Sequence, residues 1–237
     1  MLNLGALDGG GALGIAINAS GQVTGQSATG TGTDHAFVWE NNGTPMLDLG
    51  SLGGGFSQGL FINRSGQVAG NSDVFVKGKL TTHAFLWKND GTPMHDLGSL
   101  GGPKSHVTAL NVAGQVAGNA DTARLNHKHA FVWLNNGAPM KDLGTLGGSN
   151  SRANDMNSSG QVTGKANLAG NAVQHAFLWR NNGTKIEDLN ALIDASDPLK
   201  KYVTLFNADF INDGGDIVAD GTDSRTGLQG LYLLRSR

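Results

Sequence analysis

Four histidines recur at a fixed spacing and raise the question of metal binding. They begin the repeated tripeptide His-Ala-Phe and lie 48, 46 and 46 residues apart, at His35, His83, His129 and His175. Imidazole is the commonest metal ligand among side chains. Equivalent positions in successive repeats, however, lie too far apart to share one ion with ligand distances of about 2 Å. We therefore predict that each histidine bonds a loop backbone or a repeated Asn or Asp, and we assign no metal ligand.

A second repeated element, Asn-x-x-Gly, resembles half of a calcium loop. It occurs five times, at residues 18–21, 63–66, 111–114, 157–160 and 212–215. A calcium site needs several carboxylate or carbonyl oxygens. The first copy, Asn18-Ala19-Ser20-Gly21, contains no carboxylate. We interpret the element as a tight turn in which glycine supplies a positive φ.

Two further repeated features suggest ligands but have simpler explanations. A tryptophan ends each His-Ala-Phe segment, at Trp39, Trp87, Trp133 and Trp179. A sugar ring could stack on such a side chain, but we favour packing between sheets, which buries a large apolar area. The Gly-Gly pairs, such as Gly53-Gly54, precede no predicted helix and no Lys-Ser/Thr pair, so they are not a phosphate cradle.

No set of residues in the sequence has the pattern of a catalytic site. Carboxylates are few, and the repeated Asp is replaced by Asn3 near the start of the chain. No Ser, His and Asp set stands out once the repeated residues are set aside. We therefore predict no catalytic residue and no cofactor, and we regard the chain as more suited to binding than to catalysis.

The composition excludes several classes of protein. The 37 glycines and 15% charged residues suit many short strands joined by tight turns. The 17 Lys and Arg residues are scattered and the formal net charge is −2, which argues against nucleic acid. No apolar run approaches the roughly 18 residues of a spanning helix, so we expect no membrane insertion. Cysteine is absent. The chain carries no export signal and opens inside a repeat, so we expect a mature or trimmed form.

Each repeat is predicted to form four antiparallel strands. In the second repeat, Leu60-Phe61-Ile62-Asn63 ends the first strand and Gln67-Val68-Ala69-Gly70 forms the second. The third is His83-Ala84-Phe85-Leu86-Trp87, whose alternation places apolar side chains on both faces. An Asp-Gly turn leads to a fourth strand at Asp96. Strands that are apolar on both faces require sheets packed against sheets.

These repeats predict an all-β fold, a five-bladed β-propeller of four-stranded antiparallel blades. We expect one domain over residues 1–237, with blades at 11–50, 56–98, 104–144, 150–190 and 203–237 plus 1–8. The fifth repeat lacks a fourth strand, and the opening Leu2-Asn3-Leu4-Gly5 matches Leu47-Asp48-Leu49-Gly50. The N-terminal strand is therefore predicted to complete the last blade and close the ring. A stacked β-solenoid is the alternative, but it gives no reason for one spare and one missing strand.

One stretch has no counterpart in the other repeats. It covers residues 194–202, Asp-Ala-Ser-Asp-Pro-Leu-Lys-Lys-Tyr. Proline is favoured at the first position of a helix, so we expect a short helix that begins near Pro198. This segment is a candidate cap for the central channel or a contact for a partner.

The repeated signature resembles the bacterial repeat family named after its HAF tripeptide, described as a probable extracellular repeat. The resemblance rests on His-Ala-Phe-Leu-Trp, Asn-Gly, Asp-Leu-Gly-x-Leu-Gly-Gly and Ile-Asn-x-x-Gly-Gln-Val-x-Gly, which recur in order over nearly the whole chain. The fifth repeat departs from it, with Gly230-Leu231-Tyr232 in place of His-Ala-Phe. The resemblance implies an extracellular or cell-surface location and brings no established reaction or ligand.

We expect a non-enzymatic binding or scaffolding module that binds through one face. The variable connections between the second and third strands, at residues 27–34, 72–82, 120–128, 166–174 and 223–229, should share a face with the Gly-rich crossovers. The candidate binding residues are Asp34, Thr82, Lys128, Gln174 and Gln229. Glycans or another surface protein are the expected partners, and glycan binding would be multivalent. The alternatives are an enzyme acting on a polysaccharide or other extracellular polymer, and a purely structural domain of a larger surface protein.

Overall fold

The fold consists of five antiparallel sheets that follow one another along the chain. The computed structural model describes residues 1–8, 10–182 and 185–236. Four sheets have four strands and the last has three, and every hydrogen-bonded neighbour in a sheet is also the neighbour in sequence. We call these sheets blades 1 to 5.

Blades 1 to 4 each have three longer strands followed by a short fourth strand, and blade 5 has three strands. Blade 1 contains β1 (Ala12–Ile17), β2 (Val23–Ala28), β3 (Asp34–Trp39) and β4 (Leu47–Asp48). Blade 2 contains β5 (Gly53–Ile62), β6 (Val68–Val76), β7 (Lys79–Trp87) and β8 (His95–Asp96). Blade 3 contains β9 (Gly101–Leu110), β10 (Val116–Thr122), β11 (Lys128–Trp133) and β12 (Lys141–Gly144). Blade 4 contains β13 (Gly147–Met156), β14 (Val162–Leu168), β15 (Gln174–Trp179) and β16 (Glu187–Asp188). After the helical turn α1 (Leu189–Leu192), blade 5 contains β17 (Val203–Ile211), β18 (Ile217–Asp223) and β19 (Leu228–Leu234).

The third strands form the centre of the hydrophobic core because both of their faces are covered. Phe85 and Trp87 of blade 2 pack with Ala36 and Val38 of blade 1 in one buried cluster. Alternation along a strand sends these two pairs to opposite faces, so each blade presents aromatic residues to the blade before it and small or branched residues to the blade after it. The same arrangement recurs between blades 2 and 3 and between blades 3 and 4.

A ladder of asparagine side chains joins the blades on one side. In each Asn-x-x-Gly turn the Asn Oδ1 accepts backbone N–H groups of its own turn, as Asn63 does from Ser65 and Gln67. The Nδ2 group donates to the backbone carbonyl of the equivalent Asn in the next blade. The four steps run from Asn18 to Asn63 (2.8 Å), Asn63 to Asn111 (3.0 Å), Asn111 to Asn157 (3.3 Å) and Asn157 to Asn212 (3.1 Å). The turn prediction is confirmed, and the asparagine also sets the spacing between blades.

Two local elements differ from the sequence-based prediction. Residues 72–82 are mostly strand, because β6 and β7 continue in register to the pair Val76 and Lys79. Lys77 and Gly78, with φ of 51° and 76°, form the two-residue turn that such a hairpin needs. The helix expected near Pro198 is absent from that position, and residues 194–202 form turns. The helical turn lies earlier, at Leu189–Leu192, where Asp188 caps it by accepting from the Asn190 N–H.

The predicted pairing between the two ends of the chain is not formed in the structure. No hydrogen-bonded register joins residues 2–5 to β19 within the described ranges. Leu4 and Leu7 pack instead against Phe37, Trp39 and Met46 of blade 1. Closure of the ring by the N-terminal strand therefore stays a prediction.

Candidate binding face

The variable connections and the Gly-rich crossovers lie together on one face of the molecule. Each crossover leucine forms a parallel bridge to the end of the second strand of the next blade, in the pairs Leu52 and Val74, Leu100 and Thr122, and Leu146 and Leu168. The ends of the second strands lead directly into the connections between strands two and three. We call this surface the loop face.

The opposite face, which we call the turn face, is built from repeated hydrogen bonds. The turn between strands one and two and the turn between strands three and four lie side by side there. Asn41 Nδ2 donates to the Ser20 carbonyl at 3.2 Å, and Asn181 Nδ2 donates to the Ser159 carbonyl at 2.9 Å. The residues on the turn face are thus fixed by the repeat, whereas the loop face is where the blades differ from one another.

The four repeated histidines are bound to the four repeated aspartates. Each Nδ1 lies 2.7–2.9 Å from a carboxylate oxygen of the short fourth strand, in the pairs His35 and Asp48, His83 and Asp96, His129 and Asp142, and His175 and Asp188. Each pair links the third strand to the fourth strand of its own blade. The prediction of a structural histidine network that uses the repeated Asp is confirmed.

Two of these carboxylates, those of Asp96 and Asp142, have a pKa below the usual carboxyl value. Burial acts to raise the pKa of the Asp96 carboxyl, but the hydrogen bonds with His83 and the Gly98 N–H outweigh it, so the pKa lies below its usual value. The pKa of Asp142 is lowered in the same way, with burial opposed by His129 and the Gly144 N–H. The carboxylates of Asp96 and Asp142 are therefore ionised at neutral pH, and acid weakens these two pairs.

The tryptophans cannot serve as a platform for sugars. Trp39, Trp87, Trp133 and Trp179 are exposed by only 8%, 5%, 3% and 1%. Stacking of a sugar requires an open aromatic face, whereas Trp87, Trp133 and Trp179 pack against a neighbouring blade and Trp39 packs with Met46 and the N-terminal segment. The interpretation of the tryptophans as packing residues is confirmed.

The five candidate binding residues occupy one equivalent position, at or near the start of each third strand. Four of them have a polar partner on the second strand of their own blade. Thr82 Oγ1 donates to Asp73 at 3.0 Å, Lys128 Nζ lies 3.1 Å from Asp121, and Gln174 Nε2 donates to Asn167 at 3.1 Å. Gln26 Nε2 donates to Asp34 at 2.7 Å.

The fifth candidate, Gln229, lies opposite Thr222 in the register and is exposed. No described hydrogen bond or ion pair joins one of the five candidates to another. Their role in binding stays a prediction.

The loop face also carries exposed apolar side chains that the sequence reasoning missed. They lie on or beside the second-to-third-strand connections of four successive blades: Phe75 (59% exposed), Leu80 (55%), Leu125 (87%), Val173 (48%) and Leu228 (68%). Blade 1 instead has the connection 29–33, which contains only Thr and Gly. The sequence did contain a signal for this surface. Leu125 is a large apolar residue in a predicted loop, where such residues are expected to be exposed.

A polar network lies on the first two strands of blade 5 and reaches the first strand of blade 4. Asn154 Nδ2 donates to Asn207 Oδ1 at 2.7 Å, and Asn207 Nδ2 donates to Asp209 at 2.5 Å and to Asp220 at 3.3 Å. Burial and the neighbouring Asp220 raise the pKa of Asp209. Within the described ranges, no group of three or more His, Cys, Asp or Glu could hold a metal ion.

Comparison with known proteins identifies the fold and no family. No protein-family model and no curated protein sequence matches the chain. A structure described as putative TolB from Agrobacterium tumefaciens matches with a TM-score of 0.52 and 14% identity, over 94% of this chain and 82% of the other. The chain is a β-propeller.

A second structure agrees with this fold assignment. TolB from Acinetobacter baumannii matches with a TM-score of 0.50 and 11% identity, over 96% of this chain and 55% of the other. This propeller therefore spans about half the length of that protein. At these identities the likeness extends to the fold alone. Among the described residues, no helix has the length and apolar character needed to cross a membrane.

Proposed function

We propose that this β-propeller is a non-enzymatic binding module of the bacterial cell surface or extracellular space, and that its loop face docks a protein partner. The observation that carries the proposal is the set of exposed apolar side chains on the loop face of blades 2 to 5. The location is supported by the resemblance of the repeats to the HAF family.

The chemistry of the loop face favours a protein over a glycan. Binding surfaces for proteins combine apolar anchors with a polar rim. Phe75 and Leu80 are paired across the hairpin, and Lys77 and Lys79 flank them. Leu125 lies beside Arg124. The four tryptophans, the side chains best suited to stack on sugar rings, are buried, and Phe75 is the one aromatic residue among the five exposed apolar side chains of the loop face.

The test compares variants on the two faces. Leu125→Asp, and in a second variant Phe75→Asp, should abolish capture of the partner from the surface and secreted proteins of the source bacterium. Val112→Asp is the matched control, because Val112 is 56% exposed but lies in an Asn-x-x-Gly turn on the turn face. Capture is quantified by mass spectrometry of proteins cross-linked to the immobilised propeller. Equal loss in all three variants, or no loss in any, contradicts the proposal.

Glycan binding through Asp34, Thr82, Lys128, Gln174 and Gln229 is the alternative ligand class for the same face. Each blade would then supply one weak site, and affinity would rise with the number of sugars on the ligand. A broad glycan array and calorimetry with the folded protein test this version. Binding that survives Leu125→Asp but is lost on Lys128→Ala would favour glycans over a protein partner.

One observation favours the rival class, an enzyme acting on a polysaccharide. A carboxyl with a raised pKa beside a second carboxylate is the arrangement that acid catalysis uses, and Asp209 and Asp220 have it. Turnover of a polysaccharide panel, abolished by Asp209→Asn with the fold intact, would establish this function. Absence of turnover in the unaltered protein removes it.

A further inference from the structure

Blade 5 has an unfilled position along its outer edge. It is the three-stranded blade, so β19 has a hydrogen-bonded neighbour on one side alone. Beside it lies a cavity of about 550 Å³, lined among others by Leu178 and Leu189 of blade 4 and by Ile217, Tyr232 and Leu234 of blade 5. These five residues also belong to the hydrophobic cluster between blades 4 and 5. One wall of the cavity is therefore formed by the hydrophobic core of this interface, and polar residues such as Arg180, Asp197 and Lys200 line the rest.

The equivalent positions at the other interfaces are plugged by one apolar residue. This residue precedes the fourth strand and is Met94 between blades 1 and 2, Met140 between blades 2 and 3, and Ile186 between blades 3 and 4. Each is exposed by only 6–8%. The cluster between blades 4 and 5 has no such member, and Leu234 stands where the other blades have the larger tryptophan.

The first five residues of the chain have the sequence and the local conformation of a fourth strand. Met1-Leu2-Asn3-Leu4-Gly5 aligns with Met46-Leu47-Asp48-Leu49-Gly50. Gly5 has a φ of 80° and its N–H donates to Asn3 Oδ1 at 3.0 Å, as Gly50, with a φ of 73°, donates to Asp48 Oδ1 at 2.7 Å. Met1, the residue at the plug position, is fully exposed.

Blade 5 and the N-terminal segment have also lost the same ion pair. In blades 1 to 4 a histidine at the start of the third strand binds an aspartate of the fourth. Blade 5 has Gly230 in place of the histidine, and the N-terminal segment has Asn3 in place of the aspartate. An aspartate at position 3 would have no histidine partner in blade 5. The two replacements are therefore consistent with residue 3 and Gly230 belonging to the same blade.

We propose that residues 1–5 add to the free edge of β19 as the fourth strand of blade 5, with Met1 in the cavity between blades 4 and 5. The register follows from blade 1, where Val38 pairs with Leu47 and Phe37 with Asp48. Leu2 then lies opposite Leu233, and Asn3 opposite Tyr232. Leu4 and Leu7 keep the contacts with blade 1 that they already make.

The surfaces on the two sides of the gap match this closure. On blade 5, Leu231 and Leu233 are 72% and 55% exposed, although the equivalent Ala36 and Val38 of blade 1 are fully buried. On blade 1, Ile17 is 69% exposed. Closure brings these apolar surfaces together. It also lets Asn212 Nδ2, which has no described hydrogen bond, donate to the Asn18 carbonyl as the fifth step of the asparagine ladder.

A disulfide tests the register directly, because the chain contains no cysteine. Leu2→Cys with Leu233→Cys should oxidise to a bond within one chain, since directly opposed strand residues have Cα atoms about 4.5–5.5 Å apart, within the range of a disulfide. Leu2→Cys with Leu228→Cys is the control, on the same strand but out of register. Non-reducing gels and mass spectrometry at low protein concentration distinguish the products.

An intrachain bond in the first pair and none in the control supports the proposal. Bonds between chains show that a second copy donates the strand, and this outcome overturns it, as does the absence of any bond. Should the double variant fail to fold, hydrogen exchange of the unaltered protein decides. The β19 amides that point away from β18 are expected to exchange as slowly as those of β15. Exchange at the rate of an open edge contradicts the closure.

Discussion

At the scale of single residues, the repeated histidines have a structural role, because each one binds an aspartate and links the third strand of its blade to the fourth. His83 is the most buried of the four histidines, and its Nδ1 is bound to Asp96. Each histidine is bound to an aspartate of its own blade. It is therefore not available to bind a metal ion together with the histidines of the other blades. The repeat therefore uses imidazole to hold a short fourth strand, which has two residues in three of the four blades and four residues in the other.

His83→Ala should lower the free energy of unfolding by about 1–2 kcal/mol at pH 7. The cost is limited because the Asp96 side chain is 38% exposed and can regain water. The pKa of Asp96 is depressed in the folded protein, so its contribution is present above the usual carboxyl pKa and is lost as the pH falls through the lower, folded value. The difference from the unaltered protein should therefore shrink as the pH is lowered below about 4 in urea unfolding.

His127→Ala is the matched control for this prediction. His127 lies two residues before His129 in the sequence but has no described carboxylate partner. Its replacement should change stability little and without the acid dependence. Equal effects of the two substitutions would show that the ion pair does not stabilise the blade.

At the scale of the element, the second strands depend on a glycine that the sequence pattern alone does not explain. A Cβ placed on Gly118 would lie 2.1 Å from the His106 carbonyl oxygen and 2.6 Å from the Phe131 ring. Gly70 and Gly164 have the same surroundings in blades 2 and 4. The glycine makes room for the phenylalanine of His-Ala-Phe, which explains why the two motifs occur together.

Gly118→Ala should destabilise the protein by about 1–3 kcal/mol through overpacking. The Gly11→Ala variant is the control, since a Cβ there has open space around it. Thermal unfolding should show a lower melting temperature for the first variant and little change for the second. A Gly118→Ala protein as stable as the control would mean that both the backbone at His106 and the Phe131 ring shift without cost.

The elements that follow the repeat could be predicted from the sequence, and those that depart from it could not. Asn63 and Gly66 were identifiable as a turn because five copies share their spacing. The helical turn at Leu189 was missed because Asp188 has two roles, as partner of His175 and as helix cap. Asp209 and Asp220 are 11 positions apart, and the register of β17 and β18 was needed to place them together.

At the scale of the whole molecule, stability is shared between neighbouring blades through the asparagine ladder. Asn111→Asp keeps the acceptor that forms the turn but removes the donor to the Asn157 carbonyl and places a charge at a site that is 5% exposed. We expect a loss of about 2–4 kcal/mol, because a buried charge then faces a carbonyl oxygen. Urea unfolding measures the loss.

Asn126→Asp is the isosteric control, on an exposed turn of the loop face outside the ladder. It should leave the unfolding free energy nearly unchanged. A similarly small effect of Asn111→Asp would show that the blades are held together by apolar packing without help from the ladder. Asn212→Asp adds a further comparison, since its cost should match that of Asn111→Asp in a closed ring.

Each strand pairs only with strands that are adjacent to it in the described sequence, and this has a consequence for biosynthesis. Every sheet can be completed from a segment of fewer than about 50 residues, so each blade is able to form soon after it leaves the ribosome and then serve as a template for the next. Contacts of this local kind favour rapid, vectorial folding. In the proposed closed ring, the pairing of residues 1–5 with β19 is the one contact that must wait until blade 5 has been made, and before it forms the free edge of β19 would be open to aggregation or to exchange of strands between molecules.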